Sequence, residues 1–274
     1  MADIEPDYGK AGRNLPAAIA VGISLLAIVI ASLFIDPALF ALLAALIMVL
    51  AARELNKAIV VGLSQRMSLL LQVCAPVIVL AASQGGPEWL LGAYVASLIT
   101  VLIVRLLDGQ EAYVHHVTRS IFILTYAPLL AGFAVLLSVQ PDGAWKVLAF
   151  VLFTAASDLG GYSAGALFGK HPMAPKISPK KSWEGFIGSI ILVTVVGYLI
   201  WNQIFDQPGW EGIVVGLILM LGATVGDLIE SMIKRDLGIK DMSTLLPGHG
   251  GVMDRLDSLV INAFLAWVLF GIFL

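Results

Sequence analysis

The segment between Ser231 and Asp257 concentrates the side chains of this sequence that can do chemistry. It reads SMIKRDLGIKDMSTLLPGHGGVMDRLD, whereas the segments before and after it are mostly apolar. Lysine and arginine side chains hold phosphate groups, and carboxylates hold hard metal ions. The segment therefore predicts chemistry on a phosphorylated substrate. Its candidate residues are Lys234, Arg235, Lys240, Asp241, His249, Asp254, Arg255 and Asp257.

A second polar segment runs from Lys170 to Gly185, after the sixth apolar run of the chain. Its lysines and hydroxyls are suited to hold a triphosphate or a lipid headgroup. Ser182 also predicts an N-cap for the helix that follows, which would point backbone N–H groups at an anion. The alternative interpretation is a basic loop that contacts anionic lipid. The candidates here are Lys176, Ser178, Lys180, Lys181 and Ser182.

Two aspartates lie inside apolar runs, where an ionised group is costly and indicates function. At 1.5 Å per residue, Asp227 lies about 25 Å and Asp158 about 21 Å from the outer ends of their helices. Asp254 and Asp257 directly precede the last apolar run. The four carboxylates are therefore predicted at similar depth. Oxygen ligands beside a phosphate are typical of Mg²⁺ sites.

The helix that carries Asp227 places Glu230, Ser231 and Lys234 on the same face, because residues three, four and seven apart align. An alternative is that Asp227 pairs with Lys234 or with the neighbouring arginine and only links helices. His249 lies among glycines whose flexible backbone lets the imidazole approach a phosphate, and a turn-filling role is the alternative.

The composition indicates a membrane protein. Of 274 residues, 59% are hydrophobic and 13% are charged, and the mean hydropathy is +0.94. A soluble domain carries about 25% charged residues. Continuous apolar runs favour transmembrane helices, since a β-barrel would alternate. The single cysteine, Cys74, cannot form an intrachain disulfide, and no Cys/His cluster indicates zinc.

The predicted fold is an all-α polytopic membrane protein with about nine transmembrane helices. The first run is interpreted as a retained helix, since no signal-cleavage site closes it. We expect one domain over 1–274, in which 1–140 is a helical scaffold and 141–274 carries the catalytic motifs. The predicted spans are 16–35, 37–52, 67–82, 87–104, 121–139, 144–168, 186–205, 210–233 and 259–274.

The distribution of basic residues predicts the orientation. If nine spans alternate, every Lys and Arg except Lys146 falls on one side. Cytoplasmic loops carry such an excess of positive charge. The amino terminus and the long polar loops are therefore predicted to be cytoplasmic. Glycines at every fourth position in the sixth and eighth spans predict close helix packing: Gly161, Gly165, Gly169, Gly222 and Gly226.

Taken together, these residues resemble the CDP-diacylglycerol synthase family, also called phosphatidate cytidylyltransferase. The run from Ser231 to Asp257 matches the family's pattern, and 157–162 and 176–185 resemble two further blocks. The likeness covers a little under half of the chain. Leu159, Gly161 and Ser182 depart from the residues usual in the family, where a small hydroxyl residue stands in place of Leu159.

The resemblance implies the reaction CTP + phosphatidic acid → CDP-diacylglycerol + pyrophosphate. It implies Mg²⁺ held by Asp227 and Asp254, with Asp257 as a helper, and leaves open a second cation such as K⁺. Lys234 and Arg235 complete the implied catalytic set. The implied substrate-binding residues are Asp158, Lys176, Ser178, Lys181, Ser182, Glu184, Lys240, Asp241, His249 and Arg255.

The same resemblance implies an enzyme of the inner membrane with a cytoplasmic active site and phosphatidate entering sideways from membrane lipids. No nucleic-acid partner is expected, and the small-residue faces leave a homodimer open. Two other classes of membrane protein would show different patterns. A secondary transporter would place its charges near the midplane and show an inverted repeat. A CDP-alcohol phosphotransferase would show the D-x2-D-G-x2-A-R pattern, which this sequence lacks.

Overall fold

The computed structural model describes residues 15–59, 64–245 and 250–274, which fold mainly into helices. The helices α5 and α6 are joined by a π-helical turn, Thr125–Leu129, into one continuous rod, Tyr113–Ser138. The described helices are α1 (Leu15–Ile35), α2 (Pro37–Ile59), α3 (Gln65–Gly85), α4 (Pro87–Leu107), α5 (Tyr113–Leu124), α6 (Leu130–Ser138), α7 (Gly143–Phe168), α8 (Trp183–Gln203), α9 (Gly209–Asp236) and α10 (Asp257–Phe273).

Seven of the helices in the described ranges are long and apolar enough to cross a membrane. Two shorter apolar helical segments accompany them: Leu26–Ile35, which is part of α1, and Asp257–Phe273, which is α10. The prediction of an all-α polytopic membrane protein is confirmed. Each predicted apolar run corresponds to a helical segment. The orientation and the number of helices that cross the bilayer stay predictions.

The second span was predicted too short, because α2 continues past residue 52 to Ile59. Its last two turns are polar, which ended the hydrophobic run in the sequence. The helix continues because Glu54 and Leu55 are buried inside the bundle. The polar extension of α2 thereby reaches the functional site.

The π-helical turn was not predicted. Proline has no N–H to donate and clashes with the preceding turn of a helix. Pro128 lies inside the turn Thr125–Leu129, where the wider π winding accommodates it within a continuous rod. The rod therefore crosses the bundle without ending, and the turn places Tyr126 in the protein interior.

The segment predicted as a basic loop contains a β-hairpin. Strand β1 (Pro172–Ala174) pairs antiparallel with β2 (Ser178–Ser182). The strands are too short and too polar for alternation to reveal them in the sequence. The hairpin holds the lysines of this segment directly before α8.

Close contacts join the helices of the carboxy-terminal half. At Gly161 of α7, an added Cβ would lie 2.9 Å from the Ser189 hydroxyl of α8. The prediction that this glycine permits close helix packing is confirmed. Asn262 of α10 donates a buried hydrogen bond of 2.8 Å to the Thr154 hydroxyl of α7. This hydrogen bond fixes α10 against α7 and thereby helps to position Asp257 at the start of α10.

Candidate active site

Three carboxylates converge where α9 and the start of α10 meet. Asp227, Glu230 and Asp257 each offer one oxygen, and these oxygens lie within 4.8 Å of one another. Gly226 makes the approach possible, since a Cβ there would lie 2.6 Å from the Asp257 carbonyl oxygen. Asp227 and Asp257 were among the four carboxylates predicted at similar depth. Glu230 was predicted to share the face of Asp227 but not as a ligand.

This carboxylate cluster fits a hard divalent cation. All three ligand atoms are oxygens, as Mg²⁺ prefers. Glu230 is fully buried, and carboxylates at this density are costly in an apolar bundle without balancing charge. Ammonium groups supply part of that balance, because Lys181 forms an ion pair with Asp227 and Lys234 forms one with Glu230. Asp227 therefore pairs with Lys181 and not with Lys234, which the alternative interpretation expected as its partner.

Asp254 is not one of the three clustered carboxylates, although its side chain lies beside Glu230, and it organises the loop before α10. Its Oδ1 accepts a 2.9 Å hydrogen bond from Lys234, and its Oδ2 accepts from the backbone amides of Met242 (3.0 Å) and Gly251 (2.7 Å). Burial disfavours the ionised form, but the Gly251 amide and the Lys234 ammonium outweigh burial and hold the pKa of Asp254 below its ordinary value. Its predicted role as metal ligand stays a prediction, since Asp257 is the residue found with Asp227.

Glu54 is a site residue that the sequence reasoning missed. It lies on α2, is only 5% exposed, and accepts hydrogen bonds from the Ser243 hydroxyl (2.5 Å) and the backbone amides of Val252 and Met253 (2.9 Å each). One buried carboxylate thus joins the amino-terminal half to the loop that carries Asp254. The available signal was an acidic residue next to an apolar run, where each ionisable group merits attention.

The hairpin segment approaches the carboxylate cluster from α7 and α8. Ser182 accepts a 3.1 Å hydrogen bond from the Gly185 amide, so its predicted role as the N-cap of α8 is confirmed. Asp158, Lys180 and Lys181 line a cavity of about 230 Å³. Lys181 reaches Asp227 from this cavity. The cavity and the carboxylate cluster are therefore adjacent parts of one polar site.

Glu184 holds the chain in front of the hairpin. Its Oε2 accepts from the amides of Lys170 (3.1 Å) and His171 (3.2 Å), and its Oε1 lies 2.6 Å from the His171 Nδ1. These contacts bind the two ends of the segment together. They explain Glu184 by local structure, and its predicted contact with substrate stays a prediction.

The remaining predicted residues surround the polar site with fewer contacts. Arg235 donates to the Ile177 carbonyl at 3.4 Å, which links the end of α9 to the hairpin segment. Ser178 is half-buried in strand β2. His249 lies outside the described residues. The exposed members are Lys176, Lys240, Asp241 and Arg255.

Tyr126 is a second residue that the sequence reasoning missed. Its hydroxyl is buried and has no hydrogen-bond partner among the described residues. It lies within electrostatic range of Glu230, Asp257 and Asp227. Buried hydroxyls are usually hydrogen-bonded, so an unpartnered one beside a polar site is informative. Nothing in the sequence singled it out, although Pro128 marks the irregular turn.

The arrangement combines three chemical capacities at one end of the bundle. The carboxylate cluster of Asp227, Glu230 and Asp257 can hold a divalent cation. Lys180 and Lys181 line the neighbouring cavity and can neutralise phosphate oxygens. Cations and carboxylates in adjacent positions are suited to phosphoryl or nucleotidyl transfer, in which positioning and charge neutralisation supply most of the catalysis.

Comparison with known proteins bears on the chemistry of this site. A family model described as the cytidylyltransferase family matches residues 16–273. A phosphatidate cytidylyltransferase of Mycobacterium leprae is 38% identical over 285 residues, which cover 95% of this chain and 88% of that protein. A protein of the same name from Mycobacterium tuberculosis is 35% identical over 281 residues, which cover 96% of this chain and 84% of that protein.

Proposed function

Since this chain belongs to the cytidylyltransferase family, we propose that it transfers the cytidylyl group of CTP to phosphatidic acid. It is an enzyme of the nucleotidyltransferase class, and the resemblance seen in its motifs is confirmed by the family match. The products are CDP-diacylglycerol and pyrophosphate. The membrane helices agree with a lipid substrate. The observation that carries the proposal is the carboxylate cluster beside Lys181.

The proposed reaction is a single displacement at phosphorus. An oxygen of the phosphatidate phosphate attacks the α-phosphorus of CTP and forms a new P–O bond. The bond from the α-phosphorus to the oxygen that bridges to the β-phosphorus breaks, and that oxygen leaves with its electron pair as part of pyrophosphate. A phosphate monoester is already a competent nucleophile, so the protein must mainly position both substrates and neutralise their charge.

The cationic side chains divide this work according to their surroundings. Lys180 and Lys181 line the cavity in which phosphate groups would lie. Lys234 lies between Glu230 and Asp254, and it keeps the end of α9 and the loop before α10 in register. We assign phosphate binding to the cavity lysines and positioning to Lys234. Arg235 and Lys240 lie at the exposed margin, where they can receive the leaving pyrophosphate.

Metal dependence is part of the proposal. Asp227, Glu230 and Asp257 would hold Mg²⁺, because their oxygens converge and suit a hard cation. When bound, the ion would neutralise phosphate charge at the reacting centre. A second cation such as K⁺ is included in the proposal. The residues of the chain provide the preformed carboxylates, and Lys181 provides balancing charge at Asp227.

We also propose the location of the enzyme and its partners. The predicted charge asymmetry supports an inner-membrane enzyme whose site faces the cytoplasm, where CTP is available. Phosphatidate would reach the site from the surrounding membrane lipids. The proposal includes a homodimer, because the helices carry faces of small residues that allow close packing.

The test is an assay of purified protein with CTP and phosphatidate, followed by release of pyrophosphate and by transfer of labelled cytidylyl groups to lipid. We expect equal amounts of the two products, and no product after chelation of divalent cations. Restoring Mg²⁺ should restore turnover. Lipid labelling without pyrophosphate release would contradict the proposed displacement, and full turnover in chelator would contradict the metal proposal.

A further inference from the structure

A second cavity lies between helices of the bundle, is partly open to the surface, and differs in chemistry from the polar site. It has a volume of about 270 Å³ and is lined by apolar side chains of α1, α2, α6, α7 and α10 together with Leu256. No charged or hydrogen-bonding side chain is among its lining residues in the described part of the chain. Its walls include Phe40, Met48, Ala134, Phe150 and Val260. Its chemistry fits a hydrocarbon chain.

The apolar cavity begins at the level of the carboxylate cluster. Leu256 and Leu259, which line it, lie on either side of the cluster residue Asp257 in the sequence. Along α10 the lining continues to Ala263, about 10 Å from Leu256 at 1.5 Å per residue. One leaflet of a bilayer has a hydrocarbon thickness of about 15 Å. On α2 the lining reaches Phe40, which lies 14 residues, or about 21 Å, from Glu54 beside the loop before α10. The cavity therefore extends from the level of the polar site through more than one leaflet.

We propose that this apolar cavity binds one acyl chain of the lipid phosphate substrate, an inference that rests on the proposed function. A phosphate held at the carboxylate cluster would place the start of its acyl chain near Leu256, which lines the cavity and directly precedes the cluster residue Asp257. Asp257 belongs to the carboxylate cluster, whereas its neighbours Leu256 and Leu259 line the apolar cavity. This change from carboxylate to hydrocarbon matches the change from headgroup to tail in the substrate.

The cavity affects which lipids react efficiently more than it affects how tightly a lipid binds. An acyl chain that enters it leaves one hydrocarbon environment for another, so no hydrophobic driving force favours entry. What entry supplies is orientation, because a chain fixed between helices holds its phosphate in one position. The length that the cavity accepts then decides which lipids react efficiently. The amino-terminal helices α1 and α2 thereby contribute a specificity element.

The proposal is tested by filling the cavity from two sides. Ala44 of α2 and Ala131 of α6 line it and are half-buried. We expect Ala44→Phe and Ala131→Phe to lower kcat/KM for dioleoyl phosphatidate at least about fivefold, and to change kcat/KM for dihexanoyl phosphatidate less than about twofold. Ala96→Phe on the exposed face of α4 is the matched control and should alter neither substrate.

Photolabelling of the wild-type protein keeps the test independent of whether these variants fold. Phosphatidate with a diazirine near the middle of one acyl chain should label the peptide that contains Val260 and Ala263. CTP with Mg²⁺ should increase that labelling. Labelling confined to the exposed face of α4 or an equal loss of turnover at all chain lengths would overturn the cavity assignment. Failure of the wild-type protein to use either phosphatidate would instead count against the proposed function.

Discussion

The two polar segments of this protein are built in different ways. The side chains between Ser231 and Asp257 contact one another and the interior: Lys234 holds Glu230 and Asp254, and Glu54 holds the loop before α10. The hairpin segment between Lys170 and Gly185 is held mainly at its ends. The exposed lysines between those ends form no ion pair within the described residues, whereas Lys181 reaches Asp227.

The difference indicates a division of labour. A site that must stabilise charge works best when its groups are fixed before the substrate arrives. A segment that receives a flexible triphosphate needs mobile cations at its surface. The first segment is therefore expected to control turnover, and the second to control substrate capture. Substitutions in the two segments test this difference.

The largest effect is expected in the carboxylate cluster. Asp257→Asn removes one negative charge where three carboxylates meet, and we expect kcat to fall about 100-fold or more. Steady-state kinetics at saturating CTP measures this. Asp236→Asn, at the exposed end of α9, is the control and should retain full activity. A change confined to KM would place Asp257 in substrate capture and remove the contrast between the segments.

Next in size is the anchor on α2. Glu54→Gln leaves at least one of the Val252 and Met253 amides without its charged acceptor, which costs roughly 1–3 kcal/mol. We expect a fall in kcat of about tenfold and a lower melting temperature in detergent. The exposed Glu88→Gln on α4 is the control. If kcat is unchanged while the melting temperature falls, Glu54 stabilises the fold but does not contribute to turnover.

The hairpin segment should respond differently. Lys181→Ala removes the partner of Asp227, and we expect KM for CTP to rise about tenfold with a smaller change in kcat. Lys180→Ala removes a cation that lines the same cavity without an ion pair, and its effect should be less than about threefold. Initial rates measured over a range of CTP concentrations give the KM of each variant, and the two KM values can then be compared. Equal effects would mean that the ion pair has no special role.

Tyr126→Phe removes only a hydroxyl oxygen. Because that hydroxyl has no partner among the described residues, its loss should leave the melting temperature unchanged or raise it. If the hydroxyl donates to a group bound at the carboxylate cluster, kcat should fall about fivefold. Measuring kcat and the melting temperature of the same variant separates an effect on catalysis from an effect on stability. Wild-type kcat in this variant would mean that the hydroxyl has no part in catalysis.

The smallest effect concerns acid stability. The pKa of Asp254 is lower in the folded protein than in the unfolded chain, so its contribution to stability is present above about pH 4. That contribution is lost as the pH falls through the folded-state pKa. The melting temperatures of wild type and Asp254→Asn should therefore approach each other as the pH falls below about 4. A constant difference over this range would mean that another group causes the pH dependence.

The sequence predicted the helical architecture well, because apolar runs must be helical inside a bilayer. It also predicted Asp158, Asp227, Asp254 and Asp257 at similar depth, since counting residues along helices gives depth. It named Asp227 and Asp254 as the metal pair, whereas Asp257 and Glu230 are the carboxylates that lie with Asp227 in the structure. It did not predict the partners of Lys234 or the anchor at Glu54. Depth does not determine which helices are neighbours, and a contact across almost 200 positions leaves no periodic signal in one chain.

Local irregularities were also missed for physical reasons. The π-helical turn at Pro128 depends on how neighbouring helices enclose it, and the short hairpin strands lack the length that reveals alternation. Ser182 could be predicted as a cap because capping is a local interaction. Local chemistry was thus readable from the residues, whereas the assignment of each carboxylate to a partner required the three-dimensional fold.

Mn²⁺ binding tests the proposed cation site most directly. It can be followed by electron paramagnetic resonance in the purified wild-type protein and in single variants. If Asp227, Glu230 and Asp257 form the cation site, Asp227→Asn, Glu230→Gln and Asp257→Asn should each weaken Mn²⁺ binding about tenfold or more, and Asp254→Asn should weaken it less. Wild-type Mn²⁺ affinity in Asp257→Asn, with binding lost in Asp254→Asn, would contradict the carboxylate cluster as the metal site.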